Sequence, residues 1–374
     1  MPAAFSFCDL ATPGVQGLRP YEPGKPLSQL EREYGVRDAI KLASNENPLG
    51  PSPAALEAMR GALGEIARYP DGNGFDLKRA LAHRYDVDIA GITLGNGSND
   101  VLEIIARAFL QPGLEAVFSQ HAFAVYPIVT QAVGAAARVV PAHDGSRGPR
   151  YGHDLEAMLA AVTDQTRMIF IANPNNPTGT WLKRDELDAF LQRVPRQVVV
   201  VLDEAYVEYV DEPDYPDSIP WLAQFPNLIL TRTFSKAFGL AGLRVGFALS
   251  HPEIADVLNR VRQPFNVNTL ALIAATAALT DRAHLEASLK LNRAGMAQWA
   301  EILAELDLEA IPSVGNFLCV DVGRPAAAVY EALLREGVIV RPVANYGLPN
   351  HLRITLGLAQ ENRRAGAALR KVLA

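Results

Sequence analysis

Residues 197–209 read QVVVVLDEAYVEY. The apolar run Val198–Leu202 lacks the alternation of a half-exposed strand, and four of its five residues are β-branched valines. Such a run predicts a strand buried on both faces, at the centre of a mostly parallel sheet. It ends on a carboxylate, Asp203, with Tyr206 three positions further on. In open α/β sheets ligands bind beyond the carboxyl ends of the strands, so the residues that follow each strand carry the functional information. A carboxylate there is costly unless it meets a cation or a donor. The plainer alternative is that Asp203 caps the next helix.

Other strand-like runs flank this one: EAVFSQ (115–120), ARVVPA (137–142), RMIFIAN (167–173), NLILTRT (227–233) and LRVGFALS (243–250). Helical patterns lie around and between them. SPAALEAMRGAL has Ser52 as N-cap and Pro53 in the first turn, and DLKRALAHRYDV and KRDELDAFLQRV (183–194) are amphipathic. The pattern is α/β, a mostly parallel sheet wrapped by helices. Beyond about residue 251 the character changes to an Ala/Leu-rich helical region over 269–306. FLCVDV (317–322), the helix AAAVYEALLREG, VIVRPV and HLRITLG follow, which predicts a smaller α+β domain. RPYEPGKP (19–26) reads as an extended arm, because proline fixes φ and removes a donor.

Composition excludes several classes. With 374 residues, 49% apolar and 20% charged, the chain is ordinary globular material and long enough for two domains. A formal charge of −6 without a clustered basic run argues against a nucleic-acid partner. No apolar stretch approaches the roughly 18–20 residues of a membrane span, and the first 20 residues do not read as a signal peptide. Cys8 and Cys319 make no disulfide framework, which predicts a reducing cytoplasm. The seven histidines show no metal-ligand spacing, so no metal is expected.

Three further stretches lie at strand ends. GITLGNGSNDVLEIIARAFL (91–110) leads from a strand through Gly95 and Gly97 into a helix, whose free N–H groups suit an anion, above all phosphate. It is neither G-x-G-x-x-G, since Asp100 replaces the third glycine, nor a P-loop. IFIANPNNPTGT (169–180) sets Asn173, Asn175 and Asn176 in a proline-rich turn. TRTFSKAFGLAGLRVGF (231–247) places Ser235 and Lys236 just after a strand, with Arg244 eight residues on. Taken singly, these are equally a capped helix, an ordinary turn and a solvated lysine. Together with Asp203 they make the set that pyridoxal phosphate requires: a lysine for a Schiff base, an acid for the ring nitrogen and a phosphate cradle.

SNENPLGPSP, RYPDGNG, GNGSND, AFAVYP, NPNNPTG, DEAYVEY, RTFSKAFGLAGLRVG and LRITLG together resemble the class II aminotransferases of pyridoxal-phosphate fold type I, in the expected order over nearly the whole chain. The resemblance implies a homodimer and three parts: an N-terminal arm (1–45) joining the small domain, a large cofactor-binding domain (46–265) and a small C-terminal α+β domain (266–374). It implies that Lys236 holds the cofactor covalently and later acts as the base. Asp203 would keep the ring nitrogen protonated, and Tyr206 and Asn176 would bond the phenolic oxygen. Gly97, Ser98, Asn99, Ser235 and Arg244 would cradle the phosphate. Phe123 would stack on the ring where many relatives carry tyrosine. Tyr69 would reach into the partner subunit's site.

Arg353 would grip the substrate anion, with Tyr21, Asn45 and Arg341 beside it, although Arg341 also fits a surface position at a strand end. Within the family the likeness is strongest to members that exchange the amino group of glutamate with imidazole acetol phosphate, giving L-histidinol phosphate and 2-oxoglutarate. Aromatic amino acid transamination and decarboxylation of an amino acid phosphate are the alternatives. An aminotransferase-like regulator would need a DNA-binding domain for which the first 40 residues are too short. A nicotinamide dehydrogenase lacks its third glycine.

Overall fold

The computed structural model describes residues 6–21 and 23–374; residues 1–5 and 22 of the expected arm lie outside it. Its strands, in chain order, are β1 (Ile40–Lys41), β2 (Ile92–Gly95), β3 (Glu115–Ser119), β4 (Ala136–Val140), β5 (Thr166–Ala172), β6 (Val199–Asp203), β7 (Leu228–Thr233) and β8 (Gly246–Ser250), followed by β9 (Glu309–Ile311), β10 (Phe317–Asp321), β11 (Val338–Ile339), β12 (Arg341–Pro342) and β13 (His351–Thr355). Strands β2 to β8 form one sheet in the order β2-β8-β7-β6-β5-β3-β4. All pairs are parallel except those of β8, which runs against both of its neighbours.

Apolar side chains of β5 and β6 point alternately to two separate apolar layers. Ile169, Ile171, Val200 and Leu202 belong to one, and Met168, Phe170, Val199 and Val201 to the other. Both faces are therefore buried, as the unbroken apolar runs require. Register levels the strand ends: Ala172 stands opposite Asp203, and Asp203 opposite Thr231.

The helix Pro53–Ala62 starts as its sequence dictates, with the Ser52 hydroxyl accepting from the Ala55 N–H at 3.1 Å. The stretch expected to be helical over 269–306 is two helices, Thr269–Thr280 and Arg282–Leu306. Asp281 divides them: at ψ 72° it leaves the helical region, and its carboxylate accepts from the His284 N–H at 3.1 Å. Ala271, Ala274, Ala275 and Ala278 of the first helix pack in the core of the large sheet. Trp299 and Leu303 of the second join the core of the small domain, whose antiparallel sheet has the order β12-β13-β10-β9.

The arm contains a helix, Leu27–Tyr34, that buries Leu30 against Leu334 and Ile339. β1 then pairs in parallel with β11. From there the chain returns over the large sheet, where the Asn47 amide donates to the Ala237 carbonyl at 2.9 Å and to the Ser288 hydroxyl at 2.8 Å.

Candidate active site

The carboxyl edge of the large sheet opens into a cavity of about 170 Å³. Asp203 ends β6, Asn176 follows β5, and Ser235 and Lys236 follow β7. Because β8 is antiparallel, its start lies at this edge too, and that brings Arg244 in. Arg341 and Arg353 enter from β12 and β13 of the small sheet, and Tyr21, Ser44 and Asn45 from the N-terminal segment.

The Lys236 ammonium donates to the Ser44 carbonyl at 3.1 Å and lies 5.6 Å from the Tyr206 ring centroid. Burial, together with the positive charges of Arg353 and Arg244, lowers its pKa to about 7. Asp203 sits in the opposite predicament. Burial pushes its carboxyl up to about 6, while hydroxyl donors pull the other way: Tyr126 reaches Oδ2 at 2.9 Å and Thr231 reaches Oδ1 at 3.0 Å.

The Tyr206 hydroxyl accepts from Asn45 Nδ2 at 2.9 Å and from Asn176 Nδ2 at 3.2 Å. Burial raises its pKa to about 12. The Asn176 Oδ1 in turn accepts from Arg353 Nη1 at 2.5 Å, and Arg353 Nη2 donates to the Ala43 carbonyl at 2.7 Å. The Arg353 Nε is buried without a partner. Asn45 is fixed by Thr355, whose hydroxyl accepts from the Asn45 N–H at 2.9 Å and donates to its Oδ1 at 3.1 Å.

On the other side, Gly97 precedes the helix Ser98–Phe109, with Ser98 and Asn99 in its first turn. The first N–H groups of a helix have no partner within it and carry the positive end of the dipole. Gly97 has φ +84°, and a β-carbon there would lie 2.3 Å from Arg244 Nη2. Only glycine lets the turn approach that guanidinium, which itself donates to the Ser235 hydroxyl at 3.2 Å.

The cavity thus gathers Tyr21, Asn45, Ser98, Asn99, Phe123, Asn176, Asp203, Tyr206, Ser235, Lys236, Arg244, Arg341 and Arg353, with Gly97 alongside. Tyr69 is not among them. It is 83% exposed, stacked on Phe265 at 4.6 Å. Sequence reasoning passed over Tyr126 and Thr231. Both carry a signal in hindsight, since Tyr126 belongs to the AFAVYP stretch and Thr231 occupies the strand position paired with Asp203. Asn173 and Asn175 brace the turn instead of facing the cavity: Asn173 Oδ1 accepts from the Leu182 N–H at 2.9 Å, and Asn175 Nδ2 donates to the His121 carbonyl at 3.0 Å. Among the described residues no group of three His, Cys, Asp or Glu is placed to hold a metal ion.

The donor set fits pyridoxal phosphate. A desolvated amine and a buried carboxylate face one cavity, and a glycine-walled helix terminus with an arginine and a serine lies at one end of it. The architecture, a mostly parallel sheet under helices with a small antiparallel domain, is that of the fold type I pyridoxal-phosphate enzymes.

Residues 37–369 match the family described as aminotransferase class I and II. A histidinol-phosphate aminotransferase 2 from Pseudomonas fluorescens is 64% identical over 98% of each chain, and one from Methylococcus capsulatus is 60% identical over 98% of this chain and 99% of that one. The crystal structure of a histidinol-phosphate aminotransferase from Sinorhizobium meliloti, in complex with pyridoxal-5'-phosphate, superposes with a TM-score of 0.88 at 32% identity, covering 99% of this chain and 98% of that one. The chain belongs to the class I and II aminotransferases.

Proposed function

We propose that the chain is a pyridoxal-phosphate-dependent transaminase that converts imidazole acetol phosphate and L-glutamate to L-histidinol phosphate and 2-oxoglutarate, a step of histidine biosynthesis. The observation that carries the reading is a desolvated lysine amine and a buried carboxylate at one sheet edge, facing two arginines on an adjacent sheet. The relatives at 60–64% identity bear the histidinol-phosphate name, which disfavours the aromatic and decarboxylase alternatives.

The bound cofactor supplies an electron sink that makes the substrate's Cα–H acidic. Lys236 would hold the cofactor and, with its amine freed, would take and return the Cα proton, a role that burial favours by lowering the amine's pKa. Asp203 keeps the proton on the ring nitrogen. Tyr206 and Asn176 would bond the ring's phenolic oxygen, and Phe123 would stack on the ring. Gly97, Ser98, Asn99, Ser235 and Arg244 bind the cofactor phosphate. Arg353 grips the glutamate carboxylate in one half-reaction and the substrate phosphate in the other. Tyr21, Asn45 and Arg341 complete that anion site.

The protein works as a homodimer in the cytoplasm. Tyr69, Ile66 and Phe265 form an exposed apolar surface suited to a second copy, whose site Tyr69 would enter. The free thiols Cys8 and Cys319 suit a reducing compartment.

Purified wild type should be yellow with bound cofactor, and Lys236→Ala should lose the borohydride-fixable fraction. Specificity constants for histidinol phosphate, phenylalanine and tyrosine, each with 2-oxoglutarate, decide the substrate. A clear win for phenylalanine would overturn the assignment, and carbon dioxide release without a keto product would point to decarboxylation. Sedimentation of wild type against Tyr69→Ala tests the dimer and the shared site.

A further inference from the structure

Asp203 is held by more than its own strand. Its two carboxylate oxygens each accept from a different hydroxyl, Tyr126 on Oδ2 and Thr231 on Oδ1. Tyr126 lies in the helix Val125–Ala132 and is 0% exposed. Its ring is nearly parallel to Phe170 of β5, 4.8 Å away at 8°, and edge-on to Phe123 at 5.9 Å and 87°. A tyrosine clamped on both sides in this way has one direction for its O–H, and that direction ends on the carboxylate. Asp203 and Phe123 line the cavity, whereas Tyr126 is set behind them.

We propose that Tyr126 is a positioning residue: its hydroxyl, with that of Thr231, fixes the orientation and charge of the Asp203 carboxylate so that it can hold the protonated ring nitrogen of the cofactor. The assignment rests on the cofactor reading given above. The Ala205 backbone N–H adds a further, smaller contribution to the carboxylate, and the remaining side chains that face Asp203 do not do this work. Glu204, next in the chain, adds a like charge that is itself engaged by Arg232 at 2.7 Å. Tyr206 spends its hydroxyl on Asn45 and Asn176. In a desolvated site a carboxylate stays charged only if donors replace the lost water. A hydrogen bond to a buried charge is worth enough that losing one costs about tenfold or more in binding.

Tyr126 acts through Asp203 and not through the cavity wall, so its effect must depend on the ring nitrogen. That separates positioning from a structural role. The apoprotein is titrated with pyridoxamine phosphate, which binds without a covalent link, and with its 1-deaza analogue, in which carbon replaces the ring nitrogen. Wild type, Tyr126→Phe and Thr231→Val are compared. Tyr126→Phe keeps the stacked ring, and Thr231→Val keeps the strand shape. We expect each variant to bind pyridoxamine phosphate about tenfold or more weakly, while the analogue loses less than about twofold. Equal losses for both ligands, or no loss for either, would overturn the proposal. A wild type that fails to bind pyridoxamine phosphate at all would overturn the cofactor reading, and the role of Tyr126 with it.

Discussion

Arg341 and Arg353 are direct partners across the antiparallel strands β12 and β13, two cations side by side on one wall of the cavity. Like charges directly opposite on a sheet repel, so an anion that bridges them gains at both. Arg353 also carries a buried Nε without a partner, and its other nitrogens already grip Asn176 and Ala43. A planar fork is needed to make all of these bonds, and lysine cannot supply one.

Arg353→Lys is therefore expected to lower kcat/KM by about a hundredfold or more for glutamate and for histidinol phosphate alike. Arg341→Gln should act chiefly on the phosphorylated substrate. Single-turnover rates of the two half-reactions, measured separately, check both. An Arg353→Lys enzyme with unchanged rates would remove the arginine from the anion site.

The Lys236 amine gives a stability signature in the apoprotein. Its folded pKa, about 7, lies below its ordinary value of 10.5, so below pH 7 the fold must hold a charge it disfavours. Between pH 7 and 10.5 the unfolded chain binds the extra proton, and stability from this residue rises with pH. Lys236→Met should thus melt above wild type at pH 6.5, and the gap should shrink steadily towards pH 10. Urea melts of the two apoproteins across that range test it. A gap that does not move with pH would mean an ordinary amine.

Gly97→Ala is expected to cost twice. Alanine at φ +84° is strained, and its β-carbon would lie 2.3 Å from Arg244 Nη2. We expect about 1–3 kcal/mol of lost stability and a cofactor affinity at least tenfold weaker, because the guanidinium must move. Thermal melts and apoprotein titration measure the two effects.

Glu204 and Arg232 form a buried ion pair behind the site, 2.7 Å apart, with the Ser218 hydroxyl donating to Glu204 at 2.5 Å and the Arg232 guanidinium 4.8 Å from the Tyr85 ring centroid. Removing one partner leaves the other charged in a dry place. Arg232→Met should cost about 3–5 kcal/mol in a urea melt, and the double change with Glu204→Met considerably less. Equal losses from the single and double variants would refute the coupling.

Most of the large sheet was legible in sequence because each central strand is an apolar run with a functional residue at its end. Asp203 and Lys236 were readable because their strand-end positions coincide with those of the other site residues, and neither was readable by itself. What was not legible depended on register and on direction. The reversal of β8, which brings Arg244 to the carboxyl edge, leaves no mark in the composition of LRVGFALS. Nothing in the sequence singles out Tyr126 within AFAVYP, since its hydroxyl acquires meaning only once β6 has placed a carboxylate within reach. The break at Asp281 escaped because a lone Asp in an Ala/Leu-rich run is common inside helices, and its capping bond to His284 is a property of the fold.

The pairing of β1 with β11 bears on how the protein is made. It joins residues 40–41 to 338–339, so Ser44 and Asn45, which face Lys236 and Tyr206, are anchored on a strand that emerges late from the ribosome. A nascent chain that ends before residue 338 already has its lysine but lacks the roof that dries it. If Lys236 holds the cofactor, its site is complete only once the last hundred or so residues can fold onto the first fifty.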